Sequence, residues 1–316
     1  MRGRFAPSPT GAMHLGNAWT ALLAWLQVRG QHGSMVLRIE DLDPERSKGG
    51  FVTGLLADLS WLGLNWDEGP DVGGQYVPYV QSQRQELYAQ ALARLKQLDL
   101  VYPCYCTRAE IQAAVAAPNT GIAERPYPGT CARLTVQQQR EKAYSGRRPA
   151  WRVRVPGGLV QWTDACQGQV QRELSALGDF IIRRADGAYA YQLAVVVDDA
   201  LMDLTHVLRG DDLLTSTAWQ LYLYDVLGWR APQFAHVPLL LGRDGHRLAK
   251  RHGDVSIAAL RSKGVRPEEI IGFLAYEAKL IPQFFPVQAQ ELLGSLRVEN
   301  LPHDPIVVGE YLPYKK

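Results

Sequence analysis

The most informative stretch of this 316-residue chain is Arg4-Phe5-Ala6-Pro7-Ser8-Pro9-Thr10-Gly11-Ala12-Met13-His14-Leu15-Gly16-Asn17. Its pattern predicts a strand that enters a Pro- and Gly-rich turn, which delivers His14 and Gly16 to the N-terminus of a helix. Such a terminus offers free N–H groups and the positive end of a dipole, so it suits phosphates. Gly16 lets a phosphate or a purine approach the backbone closely, and His14 can donate a hydrogen bond to an α-phosphate. The alternative is a loop histidine that only caps a helix.

The segments that follow predict alternating helices and strands. Apolar residues spaced by three and four between Leu15 and Leu26 indicate a helix. A strand-like run, Met35–Asp41, ends in acids, and further helices are expected near 51–62 and 82–98. This alternation is typical of a parallel α/β sheet. We therefore expect residues 1–100 to form the first half of a Rossmann-type domain.

The rest of the chain divides into three predicted segments. Residues 101–178 have clustered cysteines and short β-like runs such as Trp151–Val155, which indicates an inserted domain. The parallel pattern is expected to resume over 179–241. Its predicted elements are Phe180–Arg183, Tyr191–Val197, a helix near 215–227 and a last core strand, His236–Leu241. Residues 242–316 are expected to carry a mobile loop and a small helical end, with helices near 257–263 and 267–280.

Composition excludes few classes of protein. The 34 Lys and Arg nearly balance the 32 Asp and Glu, which argues against holding nucleic acid by bulk charge alone. The N-terminus has no apolar core of a signal peptide, and no apolar run is long enough to span a bilayer. We therefore expect a cytoplasmic protein without membrane contact, and a monomer.

Three of the four cysteines indicate a metal site. Cys104, Cys106 and Cys131 offer three thiolates, which with a fourth N, O or S donor suit tetrahedral Zn²⁺. Cys104 and Cys106 are too close for an easy disulfide. One structural zinc ion is therefore expected, against the alternative of free, partly buried cysteines. Cys166 is interpreted as a plain core residue.

Two motifs resemble the signatures of class I aminoacyl-tRNA synthetases. The first stretch resembles the HIGH signature in the form found in glutamyl-tRNA synthetases, with Asn17 in place of its final histidine. Arg247-Leu248-Ala249-Lys250-Arg251 resembles the KMSKS signature, and Lys250 matches its second lysine. A cation on such a loop can close over ATP and stabilise the transition state; a solvated basic loop is the alternative. The resemblance implies an α/β, Rossmann-type class I catalytic domain with an inserted zinc-containing domain.

The same resemblance implies a glutamate pocket and an ATP site. It extends to residues 36–44, 191–199 and 205–214. Glutamate carries two carboxylates and an ammonium, so its pocket needs cations, an acid and hydroxyls. The implied glutamate-binding residues are Arg4, Phe5, Ala6, Pro7, Ser8, Glu40, Tyr191 and Arg209. The implied ATP-binding residues are His14, Gly16, Asn17 and Lys250, with Mg²⁺ on the phosphates; His14 and Lys250 are the catalytic pair. Tyr127 is implied as the fourth zinc ligand.

The length of the chain indicates one branch of this family. The resemblance covers residues 4–280, and we expect no anticodon-binding domain. A truncated branch attaches glutamate to the queuosine base at the wobble position of tRNA(Asp). The expected partners are therefore ATP, L-glutamate and queuosine-containing tRNA(Asp). Three alternatives remain: a discriminating glutamyl-tRNA synthetase that charges the 3′ end, a small-molecule adenylyltransferase, and a non-catalytic RNA-binding paralogue.

Overall fold

A computed structural model describes residues 1–43, 45, 47, 49–115, 126–242, 244–246 and 256–308. Lys250 and the rest of the KMSKS-like pentapeptide lie outside these residues. The helices are α1 (Leu15–Arg29), α2 (Gly49–Trp61), α3 (Gln85–Gln97), α4 (Arg108–Val115), α5 (Val136–Tyr144), α6 (Leu174–Leu177), α7 (Tyr191–Leu201), α8 (Ser216–Leu227), α9 (Ile257–Ser262) and α10 (Pro267–Glu277). The strands are β1 (Arg2–Phe5), β2 (Ser34–Leu37), β3 (Val101–Cys104), β4 (Ala150–Val153), β5 (Leu159–Asp164), β6 (Gly168–Glu173), β7 (Phe180–Arg183), β8 (His206–Gly210), β9 (Gln233–Val237), β10 (Leu240–Leu241) and β11 (Ile306–Val307).

A four-stranded parallel sheet combines strands from residues 1–100 with strands from residues 179–241. Its order is β2-β1-β8-β9, and each neighbouring pair runs parallel. Helix α1 connects β1 to β2 and packs on the sheet. Its residues Trp19, Leu22 and Leu23 are almost fully buried. The predicted α/β fold is confirmed, as are the helices expected near 15–26, 51–62, 82–98, 215–227, 257–263 and 267–280.

The segment Tyr191–Val197, predicted to continue the parallel sheet, is instead part of helix α7. Every residue from Leu193 to Asp199 is buried, and α7 packs against α3 and α8. A short apolar run that is buried on all sides has no polar face, so its periodicity does not distinguish a helix from a strand. The prediction of extended structure here was wrong.

Two predicted core strands also differ in their place. Strand β7 lies in an antiparallel sheet of order β3-β4-β7, so Phe180–Arg183 does not resume the parallel sheet. The predicted strand His236–Leu241 is divided at Pro238, which lacks the N–H that a continuing ladder requires. Strand β9 therefore ends at Val237, while β10 pairs with β11 in a separate two-stranded sheet. No helix in the described part of the chain has the length and apolarity to cross a bilayer.

We predict that Gly3→Ala destabilises the fold, because a Cβ at this position would collide with Cγ2 of the buried Val28 on α1. Overpacking of this kind is expected to cost about 1–3 kcal/mol in chemical denaturation. Gly54→Ala is the matched control. It lies in helix α2 with nothing within 4 Å of the added carbon, and we expect a gain of about 0.5–1 kcal/mol there. Equal stability of the two variants would contradict the close packing of β1 on α1.

Candidate active site

His14 lies at the N-terminus of helix α1, as the sequence predicts, and its side chain caps the helix. Its Nδ1 accepts a hydrogen bond from the backbone N–H of Gly16 at 3.1 Å, while Oδ1 of Asn17 accepts one from the backbone N–H of His14 at 3.3 Å. Burial lowers the pKa of His14 below its ordinary value, so the ring is neutral at pH 7. A neutral ring whose Nδ1 accepts must carry its proton on Nε2. His14 can therefore donate one hydrogen bond from Nε2.

Four residues predicted to bind the amino acid lie together at the carboxyl end of the parallel sheet. Arg4 lies on β1, Glu40 follows β2, Arg209 lies on β8 and Tyr191 begins α7. Nη1 of Arg209 donates to the Tyr191 hydroxyl at 3.5 Å. Desolvation raises the pKa of Tyr191, although the nearby charges of Arg209 and Arg4 oppose this. Residues separated by more than 200 positions thus meet at the edge where ligands bind in open α/β sheets.

The segment Phe5–Ser8 supports the pocket mainly through its backbone. The carbonyls of Phe5 and Pro7 accept hydrogen bonds from the N–H groups of Arg38 and Glu40, each at 3.0 Å. These bonds extend the pairing of β1 and β2 beyond the regular strands. They fix the backbone position of Glu40 relative to β1. Phe5 and Pro7 are buried, Ala6 is half-buried and Ser8 is exposed. The hydroxyl of Ser8 is therefore accessible at the rim.

Arg38 is a central residue of the site that the sequence reasoning quoted but gave no role. Its guanidinium is fully buried and pairs with Glu40 at 2.9 Å, Asp199 at 2.6 Å and Asp198 at 3.7 Å. Arg84 also pairs with Asp198, at 2.6 Å. Although burial opposes ionisation of Asp199, the charges of Arg38 and Arg4 lower its pKa below the ordinary range. The sequence did contain a signal for these partners of Arg38, because the apolar run of residues 193–197 ends in Asp198 and Asp199.

The two pocket arginines are held in different ways. Arg4 faces Asp199 at 3.6 Å, and its buried Nε makes no hydrogen bond within the described structure. Arg209 is held by uncharged groups: its Nε donates to Nε2 of His236 at 3.0 Å, and its Nη2 donates to Thr217 at 2.8 Å and Gln220 at 2.6 Å. Buried polar groups are normally satisfied. Nε of Arg4 instead faces the carboxylate of Asp199, so the charge of Arg4 is compensated by an ion pair without a direct hydrogen bond from Nε among the described residues.

The chain returns to the described structure beside His14 after the KMSKS-like loop. Ser256 forms an isolated antiparallel bridge with His14, and the N–H of Ile257 donates to the carbonyl of Met13 at 2.8 Å. The described chain thus resumes at Ser256 in contact with the turn before α1.

The three predicted cysteines come together with Tyr127. The ligand atoms of Cys104, Cys106 and Cys131 lie within 4.8 Å of one another. The Tyr127 hydroxyl lies 3.4 Å from Sγ of both Cys104 and Cys106, and the Sγ atoms of Cys106 and Cys131 are 3.4 Å apart. Donors about 2.0–2.3 Å from a tetrahedral Zn²⁺ would be separated by roughly 3.5–3.8 Å. The donor set fits a zinc ion.

Arg152 is a further residue of this cluster that the sequence did not single out. Its Nε donates to Sγ of Cys104 at 3.4 Å, and its guanidinium lies 3.8 Å above the ring of Tyr127. A cation beside the cluster can offset the negative charge of three metal-bound thiolates. Cys166 is buried in the turn between β5 and β6, away from this cluster, as predicted for a core residue.

The parallel sheet, the capped helix and the buried ionic pocket define the catalytic domain of a class I aminoacyl-tRNA synthetase. Residues 1–283 match the family described as tRNA synthetases class I (E and Q), catalytic domain. The chain belongs to this family, whose members are ligases.

Individual relatives support the same assignment. The chain is 52% identical over 305 residues to a protein of Symbiobacterium thermophilum named glutamyl-Q tRNA(Asp) synthetase, which covers 96% of this chain and 94% of the relative. A protein of the same name from Nitratidesulfovibrio vulgaris is 51% identical over 308 residues, or 97% and 95% of the two chains. A crystal structure of a glutamate tRNA ligase from Elizabethkingia meningosepticum CCUG26117 in complex with its amino acid superimposes with a TM-score of 0.84. It is 28% identical, and the match covers 98% of this chain and 67% of that one.

We predict that Cys104→Ser abolishes tight zinc binding, whereas Cys166→Ser, also at a buried cysteine, leaves it intact. The wild-type chain is expected to purify with about one zinc ion, measured by atomic absorption. Loss of the site should lower the melting temperature by roughly 5–10 °C. Tyr127→Phe keeps the thiolates and should release zinc faster to a chelator. Full zinc retention in Cys104→Ser would contradict this assignment.

Proposed function

We propose that this protein activates L-glutamate with ATP and transfers it to the queuosine base at the wobble position of tRNA(Asp). The observation that carries glutamate activation is the grouping of Arg4, Glu40, Tyr191 and Arg209 at one end of the sheet, beside the His14 cap. The queuosine acceptor is supported by similarity to the two relatives named glutamyl-Q tRNA(Asp) synthetase along nearly their whole length.

Two cations and an acid suit the charges of glutamate. Arg4 and Arg209 can each pair with a carboxylate. Oε1 of Glu40 is held by Arg38, and Oε2 accepts no hydrogen bond from the described residues, so it can receive the ammonium. Because uncharged partners hold Arg209, no acidic partner at hydrogen-bond distance neutralises its charge in the described structure. A carboxylate ligand supplies the missing charge, whereas an amide does not. The pocket therefore favours glutamate over glutamine.

Activation is an in-line displacement at the α-phosphate of ATP. A carboxylate oxygen of glutamate forms the new bond to phosphorus, and the bond to the β-phosphate oxygen breaks, which releases pyrophosphate. His14 donates from Nε2 to the α-phosphate, and Lys250 stabilises the departing phosphates. Mg²⁺ bound to the phosphates would neutralise part of their charge. Gly16 and Asn17 complete the nucleotide-facing end of α1. These groups act by positioning and charge stabilisation, without a covalent enzyme intermediate.

Transfer requires a hydroxyl nucleophile on the tRNA. The hydroxyl attacks the activated carbonyl of glutamyl-adenylate and an ester bond forms. AMP leaves with the electron pair of the broken acyl–phosphate bond, and the proton of the hydroxyl passes to the departing phosphate or to water. Queuosine carries a cis-diol that resembles the diol of a terminal ribose.

We further propose a division of the chain into domains. Residues 1–100 and 179–241 form the catalytic domain, residues 101–178 are inserted into it, and residues 242–316 are placed for tRNA contact.

The acceptor is tested with labelled glutamate, ATP and two preparations of tRNA(Asp), with and without queuosine. We expect label on the queuosine-containing tRNA only, because the unmodified base lacks the cis-diol. Label on tRNA(Glu) instead would indicate a glutamyl-tRNA synthetase that charges the 3′ end. Activation of glutamate without transfer to any tRNA would favour a small-molecule enzyme, and no activation would favour a non-catalytic RNA-binding protein.

The glutamate pocket is tested by Arg209→Gln in glutamate-dependent pyrophosphate exchange. Loss of one partner of a buried ionic contact costs about 2–5 kcal/mol, so the KM for glutamate should rise roughly 100-fold. The KM for ATP should change less than about threefold, because the nucleotide site is separate. The control is Arg230→Gln, since Arg230 is exposed. An unchanged glutamate KM in Arg209→Gln would remove Arg209 from the pocket.

A further inference from the structure

His236 is a buried histidine that no step of the proposed reaction uses. It lies on β9 directly beside Arg209 in the parallel register of β8 and β9, and its side chain is fully buried. Nε2 of His236 receives the Nε–H of Arg209 at 3.0 Å, and the Thr217 hydroxyl lies 2.9 Å from the same nitrogen. On its other side, Nδ1 of His236 is 2.5 Å from Oδ2 of Asp164. The ring therefore connects an arginine to a carboxylate.

Hydrogen-bond geometry determines the tautomer of this ring. The Nε–H of arginine can only donate, so Nε2 of His236 must present a lone pair. Burial lowers the pKa of His236, and the nearby charge of Arg209 acts in the same direction despite the opposing effect of Asp164. The ring is therefore neutral and carries its single proton on Nδ1. That proton is donated to Asp164.

Asp164 is fixed by four donors. Its Oδ1 accepts hydrogen bonds from the backbone N–H groups of Cys166, Gln167 and His236, each at 3.0 Å, while Oδ2 accepts from the His236 ring. Both oxygens must therefore be acceptors. Desolvation raises the pKa of Asp164, but the hydrogen bond from the His236 ring and those from the backbone N–H groups of His236 and Gln167 act together against it, and the pKa is lowered. The carboxylate remains ionised and holds the ring in one orientation.

The carboxylate comes from outside the parallel sheet. Asp164 is the last residue of β5, in the antiparallel hairpin β5–β6. The hairpin contacts the sheet through the N–H of Ala165, which donates to the carbonyl of Phe234 at 2.8 Å, and through Gln167, which donates to the carbonyl of His236 at 2.9 Å. A segment from the predicted insertion thus contacts the parallel sheet at its edge strand β9.

We propose that Asp164 and His236 are positioning residues that hold Arg209 in the orientation that binds the amino-acid substrate. Asp164 selects the Nδ1–H tautomer, and that tautomer gives Arg209 an acceptor for its Nε–H. With Nε and Nη2 both anchored, Nη1 remains directed towards Tyr191 and the pocket. The proposal rests on the proposed role of Arg209 in binding glutamate.

Asp164→Asn is a nearly isosteric variant that creates a donor conflict. An amide has one acceptor oxygen, which the three backbone N–H groups would take, so its NH₂ would face Nδ1 of His236. The ring would then carry its proton on Nε2, opposite the Nε–H of Arg209. We expect the glutamate KM to rise roughly tenfold or more, since a buried unsatisfied donor is costly, while the ATP KM stays within about twofold.

A double-mutant cycle separates positioning from simple structural support. In His236→Gln the acceptor is an amide oxygen, which has no tautomer for Asp164 to select. If Asp164 acts through the ring, adding Asp164→Asn to His236→Gln should raise the glutamate KM by less than about twofold. The same tenfold rise in both backgrounds would overturn the proposal. Asp225→Asn, at an exposed carboxylate on α8, is the control for loss of charge.

Nitrogen-15 NMR of the histidine rings tests the tautomer without any substrate. His236 is assigned among the seven histidines by the loss of its signals in His236→Gln. We expect a protonated Nδ1 and a bare Nε2 in the wild type, and the reverse in Asp164→Asn. A protonated Nε2 in the wild type would overturn the proposal. Absence of glutamate-dependent exchange in the wild type would instead refute the proposed function, while the NMR result still decides what sets the tautomer.

Discussion

The buried guanidinium of Arg38 constrains the position of every charged group around it. A buried charge requires partners that compensate for lost hydration. Glu40 supplies one carboxylate from the end of β2, and Asp198 and Asp199 supply two from α7. Since Asp199 also faces Arg4 and Asp198 also binds Arg84, one ionic network joins two strands and a helix. The positions of these charged side chains therefore depend on their ion pairs as well as on apolar packing.

The sequence predicted the elements of the fold better than their pairing partners. Helix α1 has a clear period in its apolar residues, and its capping turn is marked by Pro, Gly and His, so both were found. The run Tyr191–Val197 was misassigned because every residue of α7 from Leu193 to Asp199 is buried, which leaves no polar face in the run. Strand β7 was recognised as extended. Its antiparallel pairing with β4 was not predicted, because the local pattern of β7 does not identify the strand with which it pairs. Local chemistry thus predicts local structure, and topology depends on distant contacts.

The candidate site shows the same limit. Arg4, Glu40, Tyr191 and Arg209 could be proposed because glutamate demands their charges and the family resemblance supplied their positions. Asp164 and His236 carry no such signal, since neither belongs to a motif and their contact joins residues 72 positions apart. Their role is visible only once both nitrogens of the ring have identified partners. Side chains that contact a ligand can be inferred from the chemistry of the ligand. Side chains that orient those contacting groups can be identified only from a three-dimensional structure.

The pairing of β1 with β8 has a consequence for synthesis on the ribosome. Gly3 and His206 are register partners, so the first strand emerges roughly 200 residues before the strand that will hold its free edge. Domains tend to fold as units during translation, and contacts that are distant in sequence form late. The early β1–α1–β2 unit must therefore persist with an open strand edge and with Arg38 lacking the aspartates of α7. Chaperone protection of the nascent chain would be most valuable during this interval.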